Sequence, residues 1–191
     1  MDSVVASLVT SPLSYREYLA LPDDGVIFEV VEGFPVVNPS PSTWHGVMST
    51  EFLMLLRARA PRHLYVGTAP LDWVLRQERP THIRQPDLFV IAKDELVQNA
   101  SGMLTPPLLV VEVLSPSTRR RDLVEKRAAY AAGGCEHYWI LDPAVPSILA
   151  LRRSTETGEY VEVGAASGEE SLTLDSPFPV TVTPAALLSL D

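Results

Sequence analysis

One carboxylate stands inside a run of branched aliphatics, Leu108-Leu109-Val110-Val111-Glu112-Val113-Leu114. Alternation along a strand places Val110, Glu112 and Leu114 on one face and Leu109, Val111 and Val113 on the other. An ionised carboxylate in such a setting needs a cation or a hydrogen-bond donor, or it takes up a proton. Glu112 is therefore either a functional group or a strand-end glutamate that is solvated or paired to an arginine. A second acid sits in Gln85-Pro86-Asp87-Leu88-Phe89-Val90-Ile91. Pro86 lacks an N–H and suits a strand start, which puts Asp87 at the mouth of a buried strand. An Asp and a Glu on neighbouring strands make a hard, all-oxygen site suited to Mg²⁺ or Mn²⁺. The plainer alternative has Asp87 capping a turn after the proline.

The segment Thr118-Arg119-Arg120-Arg121-Asp122-Leu123-Val124-Glu125-Lys126-Arg127-Ala128-Ala129-Tyr130 reads as a helix. Leu123, Lys126 and Tyr130 share one of its faces, three and four residues apart. If Leu123 and Tyr130 pack on a sheet, Lys126 points inward beside the Glu112 strand, where an anion must meet it. Taken alone, a lysine that lays its stem on the core and keeps its ammonium in water accounts for the pattern better. In Phe28-Glu29-Val30-Val31-Glu32-Gly33, alternation sets Glu29 against Phe28 and Val30; one of Glu29 and Glu32 is available to an acidic cluster. Arg119–Arg121 form a basic patch, or equally a solvated first turn.

The elements that must position these groups are short and punctuated by 17 prolines. Ser14-Tyr15-Arg16-Glu17 has the form of a capping box and predicts a helix to about Leu21, ended by Pro22-Asp23-Asp24-Gly25. Strands are expected at Val26–Val31 and Phe34–Val37, then a helix over Thr43–Ala60. Further strands are expected at His63–Val66, Leu71–Leu75, Asp87–Ile91 and Leu108–Leu114. A helix over Arg119–Ala132 leads to strands at His137–Leu141 and Ser147–Leu151, with weaker ones at Tyr160–Val163 and Val180–Val182. The unit from Leu108 to Leu141 predicts a parallel pair with a crossover. The fold class is α/β, a mixed central β-sheet flanked by helices.

With 191 residues the chain suits one domain, expected over 13–191 after an N-terminal extension of 1–12. The net charge of −9 argues against coating nucleic acid by bulk charge, though not against a local basic groove. No apolar run is long enough to cross a membrane, and no basic n-region precedes Arg16, so a cytoplasmic protein is expected. Cys135 is the only cysteine, which excludes an internal disulfide and a cysteine zinc site; it reads as a core thiol. His45, His63, His82 and His137 lack metal-motif spacing. For His45 a capped or surface position is the plainer reading. G-x-S-x-G, P-loop and G-x-G-x-x-G motifs are absent.

The chain resembles the Uma-type family of restriction-endonuclease-like proteins, within the PD-(D/E)XK nuclease superfamily. The matching segments are SYREYLALPDDG, FEVVEG, PSPSTWH, QPDLFVIA, VVEVLSPSTRRRDLVEKRAAYAAGGCEHYWILDP and SPFPV. The block from Val110 to Pro143 is the most specific. The resemblance implies a metal site of Asp87 and Glu112, with the Val113 carbonyl as a further oxygen ligand, and Glu29 as the acid of the early segment. In the superfamily pattern a lysine follows the Glu by two positions, but here that position is Leu114. The family's lysine lies on the next helix instead, and Lys126 matches it.

These matches imply a Mg²⁺- or Mn²⁺-dependent endonuclease acting on DNA, with RNA as the other possible substrate. Lys126 would orient water or neutralise charge, and Glu29 would hold a second ion or a water. Arg84, Arg119, Arg120 and Arg121 would contact phosphates, and a homodimer would allow paired cuts. The contrasting expectation is a non-catalytic interaction module that keeps the nuclease fold.

Overall fold

Two sheets, rather than one, hold the residues singled out above. The computed structural model describes residues 9–22, 25–98 and 102–190. Most of the expected N-terminal extension, and Asp23 and Asp24 of the expected turn, lie outside the described residues. The first helix, α1 (Tyr15–Tyr18), carries the capping box in full: Ser14 Oγ accepts from the Glu17 N–H, and the Glu17 carboxylate accepts from the Ser14 N–H at 2.8 Å. It stops short of the expected Leu21.

Next, β1 (Phe28–Val31) and β2 (Phe34–Val37) form an antiparallel hairpin. Glu32 and Gly33 at its turn have φ of 50° and 81°, the paired positive values that match strand twist in tight hairpins. With β4 (Trp73–Arg76) and β5 (His82–Arg84) they make a four-stranded sheet ordered β2-β1-β5-β4. The three-residue β5, set between Pro80 and Pro86, is too short to show an alternation of its own.

The larger sheet is ordered β10-β9-β8-β7-β6-β3. Its strands are β3 (Leu64–Thr68), β6 (Leu88–Ala92), β7 (Leu109–Val113), β8 (His137–Asp142), β9 (Ser147–Arg153) and β10 (Tyr160–Ser167). The β7 and β8 pair is parallel and its other pairs are antiparallel, so the sheet is mixed and the expected crossover is present. A small ribbon of β11 (Leu172–Leu174) and β12 (Val180–Val182) follows.

Helix α2 (Thr43–Arg59) covers one face of the large sheet, placing Met48, Phe52 and Leu56 on Leu109, Val111, Val113 and Trp139. A short α3 (Lys93–Gln98) follows β6. The crossover helix packs on the other face. Its first part, Arg121–Lys126, is π-helical, and its second part, α4 (Arg127–Ala132), is α-helical. On that face Val110 and Leu114 pack with Tyr130, Tyr138, Ile140 and Trp73. The alternation read from β7 therefore holds, and Glu112 belongs to the face under the crossover helix. Among the described residues, no helix is long and apolar enough to cross a membrane.

Candidate active site

Glu112 is 1% exposed and both of its oxygens are engaged. Its Oε1 accepts from the Tyr130 hydroxyl at 2.6 Å, and its Oε2 accepts from Lys126 Nζ at 2.9 Å. The same Nζ lies 3.3 Å from Glu29 Oε1 and 3.5 Å from Asp122 Oδ1. Lys126 is thus turned inward among three carboxylates, not snorkelling.

The wider π turn explains how one short segment aims two charged groups at the sheet. Asp122 and Lys126 are both buried, while Leu123 packs towards the core and Val124 stands exposed. Local π geometry recurs at functional sites because it re-aims side chains. The Asp122 carbonyl accepts from the Tyr138 hydroxyl of β8 at 2.9 Å, which helps hold the segment in place.

Asp87 lies just before β6, with 23% of its side chain exposed. Its Oδ2 accepts from the Val113 N–H at 2.8 Å and faces His45 Nε2 at 3.1 Å. Glu29 comes from the smaller sheet and is fully buried. It accepts from Arg84 Nη1 at 2.8 Å and from the Gln85 N–H at 3.1 Å. Asp87, Glu112, Val113, Asp122, Lys126 and His45 line one cavity of about 380 Å³.

The electrostatics follow from four carboxylates facing Lys126 and Arg84. Burial pushes the Glu112 carboxyl well above the usual range, and Lys126 offsets this only in part while neighbouring acids add to it. Asp122 is likewise raised by burial, with Lys126 opposing. Burial also pushes Glu29 up, but Lys126 and Arg84 outweigh it and hold that carboxyl low. For Asp87 burial is outweighed by the His45 contact and the Lys126 charge. Burial disfavours the Lys126 ammonium, yet the surrounding acids raise its pKa and keep it charged. Fully ionised, the six groups carry a net charge of −2, and Asp122 Oδ1 is buried without a hydrogen bond.

The arginines divide. Arg84 is 1% exposed and held by Glu29 and His82, so the expectation that it meets phosphates from solvent is corrected: burial closes it off. Arg119 is half-exposed and pairs with Asp142. Arg120 is exposed, and Arg121 donates to Asn38 Oδ1 at 2.7 Å.

The sequence does not single out Asp122 and Tyr130 as site residues, and for His45 it leaves a place near the site open but favours a capped or surface position. His45 looked like a capping or surface group, because nothing in the sequence pairs it with an acid 42 positions away. Tyr130 reads as packing on the sheet, and Asp122 gives no reading of its own. The signal for both was their common stripe with Lys126.

Among the described residues, no three His, Cys, Asp or Glu side chains form a ready cage for a metal.

Residues 15–190 match the family described as "Uma2: Putative restriction endonuclease". No curated protein matches the chain. Among solved structures, one described as "a putative nuclease belonging to DUF820" from Anabaena variabilis superposes with a TM-score of 0.73 at 18% identity. The match covers 93% of this chain and 100% of that one, and it shows a shared fold. Spanning nearly the whole described fold and every member of the buried cluster, the family match places this chain in the Uma2 family.

Proposed function

We propose that the protein is a metal-dependent endonuclease hydrolysing DNA phosphodiester bonds, with Asp87 and Glu112 holding Mg²⁺ or Mn²⁺. The observation that carries this reading is the convergence of Asp87, Glu112 and Lys126 on one cavity. The donor chemistry fits the ion. Its ligands are hard oxygens, the buried cluster is net negative when fully ionised, and Asp122 Oδ1 accepts no hydrogen bond. Val113 lines the same cavity, which is consistent with its carbonyl completing the set.

When bound, the ion supplies positive charge to the scissile phosphate and lowers the pKa of a water. Lys126, held cationic, donates to a phosphate oxygen or to the attacking water, where charge develops. Glu29 and Asp122 fix the ammonium from two sides, and these contacts would hold it at the cavity wall if Glu112 served as a ligand to the ion. The Val113 N–H and His45 hold Asp87 in place. Arg121 holds Asn38 at the cavity wall and Arg119 lines the adjacent groove; with Arg120 they would meet the phosphates of a chain leaving the site. A homodimer would set two such sites on two strands.

A second reading, an interaction module in the same fold, draws on the net charge of −9 and on the internal satisfaction of Glu29 and Glu112. Calorimetric titration of Mn²⁺ separates the two. Saturable binding in the wild type, lost in folded Asp87→Asn and Glu112→Gln, together with Mn²⁺-dependent cutting of plasmid DNA, supports the nuclease. Absence of both binding and cutting favours the module.

A further inference from the structure

Ser115 lines the cavity of the candidate site and also a second groove of about 370 Å³. The walls of that groove are Trp44, Pro116, Pro143 and Ala144, with Arg119 beside them. Trp44 is 49% exposed, whereas Trp73 and Trp139 are 1% and 0% exposed. A large indole left in water is unfavourable unless something covers it. This one stands in the first turn of α2, next in sequence to His45, which meets Asp87 at 3.1 Å. The groove is thus tied to the candidate site at two points, through His45 and through Ser115.

Its chemistry narrows the occupant. The prolines and the indole offer flat, apolar surfaces, and the charges lining it are Arg119, whose side chain is 52% exposed, and its partner Asp142. A planar ring matches the flat walls, and the half-exposed Arg119 is open on its solvent side to an anion joined to that ring. A nucleobase with its phosphate is such a group, and its faces are free only where it is unpaired. The net charge of −9 strengthens the argument. Bulk electrostatics oppose a polyanion, so affinity must come from contacts that do not depend on charge, and base–aromatic stacking is one.

We infer that the groove receives an unpaired base of the substrate strand, stacked on Trp44, with Arg119 at the adjacent phosphate. The site then acts on single-stranded or locally opened nucleic acid. This rests on the nuclease reading and specifies its substrate class.

Because Trp44 is the exposed tryptophan of the three, the full chain reports on itself by fluorescence. The probes are a twelve-residue oligo-dT, an oligo-U of equal length and a duplex of the oligo-dT with oligo-dA, each titrated in EDTA and again in Ca²⁺. The expected result is quenching of Trp44 and its protection from iodide by the single strands but not by the duplex. Read by the anisotropy of a 3′-labelled strand, which does not need the indole, Trp44→Ala should weaken single-strand binding roughly five- to hundred-fold, the range of one base–aromatic stack, while Trp44→Phe retains most of it. Equal affinity of Trp44→Ala and wild type for the single strands overturns the stacking site, as does equal quenching by the duplex. Failure of the nuclease reading looks different: quenching and Trp44 dependence persist, but no probe is cut in Mn²⁺.

Discussion

Replacing Lys126 with methionine keeps the length of the stem and removes only the charge. Three carboxylate oxygens then face one another around the vacated position, those formerly 2.9, 3.3 and 3.5 Å from Nζ. Lys126 is 5% exposed, so water cannot readily replace the ammonium. Breaking a buried pair in this way costs about 3–5 kcal/mol, which for a chain of this size lowers Tm by roughly 6–20 °C. The loss must depend on pH in a defined direction. Glu112 and Asp122 both have folded pKa values above the usual carboxylate value. Such groups destabilise the fold at high pH, and that destabilisation fades as pH falls towards the unfolded pKa. Without Lys126 their pKa values rise further. The gap between variant and wild type should therefore narrow from pH 8 towards pH 5, by up to about 1.4 kcal/mol per pH unit for each carboxylate that takes a proton. Urea denaturation followed by circular dichroism at both pH values measures it. A Lys126→Met protein as stable as wild type at pH 8, or a gap that does not change with pH, refutes the electrostatic account of the cluster. Cleavage should be abolished in this variant while Mn²⁺ binding persists.

Tyr130→Phe removes the donor to Glu112 Oε1 and leaves a buried acceptor unpaired, so it should cost about 1–3 kcal/mol in urea denaturation. An unchanged midpoint would mean that water reaches that oxygen. Cys135 is fully buried, and burial pushes its thiol up to about 12. At pH 8 it should resist a disulfide reagent in the folded protein and react only on unfolding; rapid labelling of the native chain contradicts the burial.

The parts of this fold that could be read from sequence are those with a local physical signature. The capping box at Ser14 and Glu17, the Glu32-Gly33 turn and the alternation around Glu112 each depend on neighbours a few residues away. The second sheet could not be read in this way, because β5 has three residues and its place beside β1 rests on a pairing between Val30 and Ile83. The π turn was hidden for another reason. Its residues fit an α-helical stripe equally well, because spacing of four puts Asp122 beside Lys126 in either helix, so nothing in the sequence marks the wider turn. Arg84 was misplaced because a lone arginine before a proline gives no sign that Glu29, 55 positions earlier, will bury it.

The displaced lysine now has a structural explanation. Leu114, where the superfamily pattern has lysine, is 4% exposed and packs among Ile140, Tyr130 and Tyr138. It lines the groove beside Arg119 rather than the cavity of Asp87 and Glu112, so an ammonium there would meet the wrong space. From the crossover helix, Lys126 reaches carboxylates on β1 and β7 at once and joins the two sheets through a single charge. A purely structural role explains this poorly. Well-packed apolar side chains of similar volume are commonly as stable as a buried ionic cluster, or more so. This cluster moreover holds more carboxylates than cations, so burial pushes Glu112 and Asp122 towards their protonated forms. An arrangement that costs stability at the wall of an open cavity is accounted for by the proposed cation, whose charge would favour the ionised forms of Glu112 and Asp122.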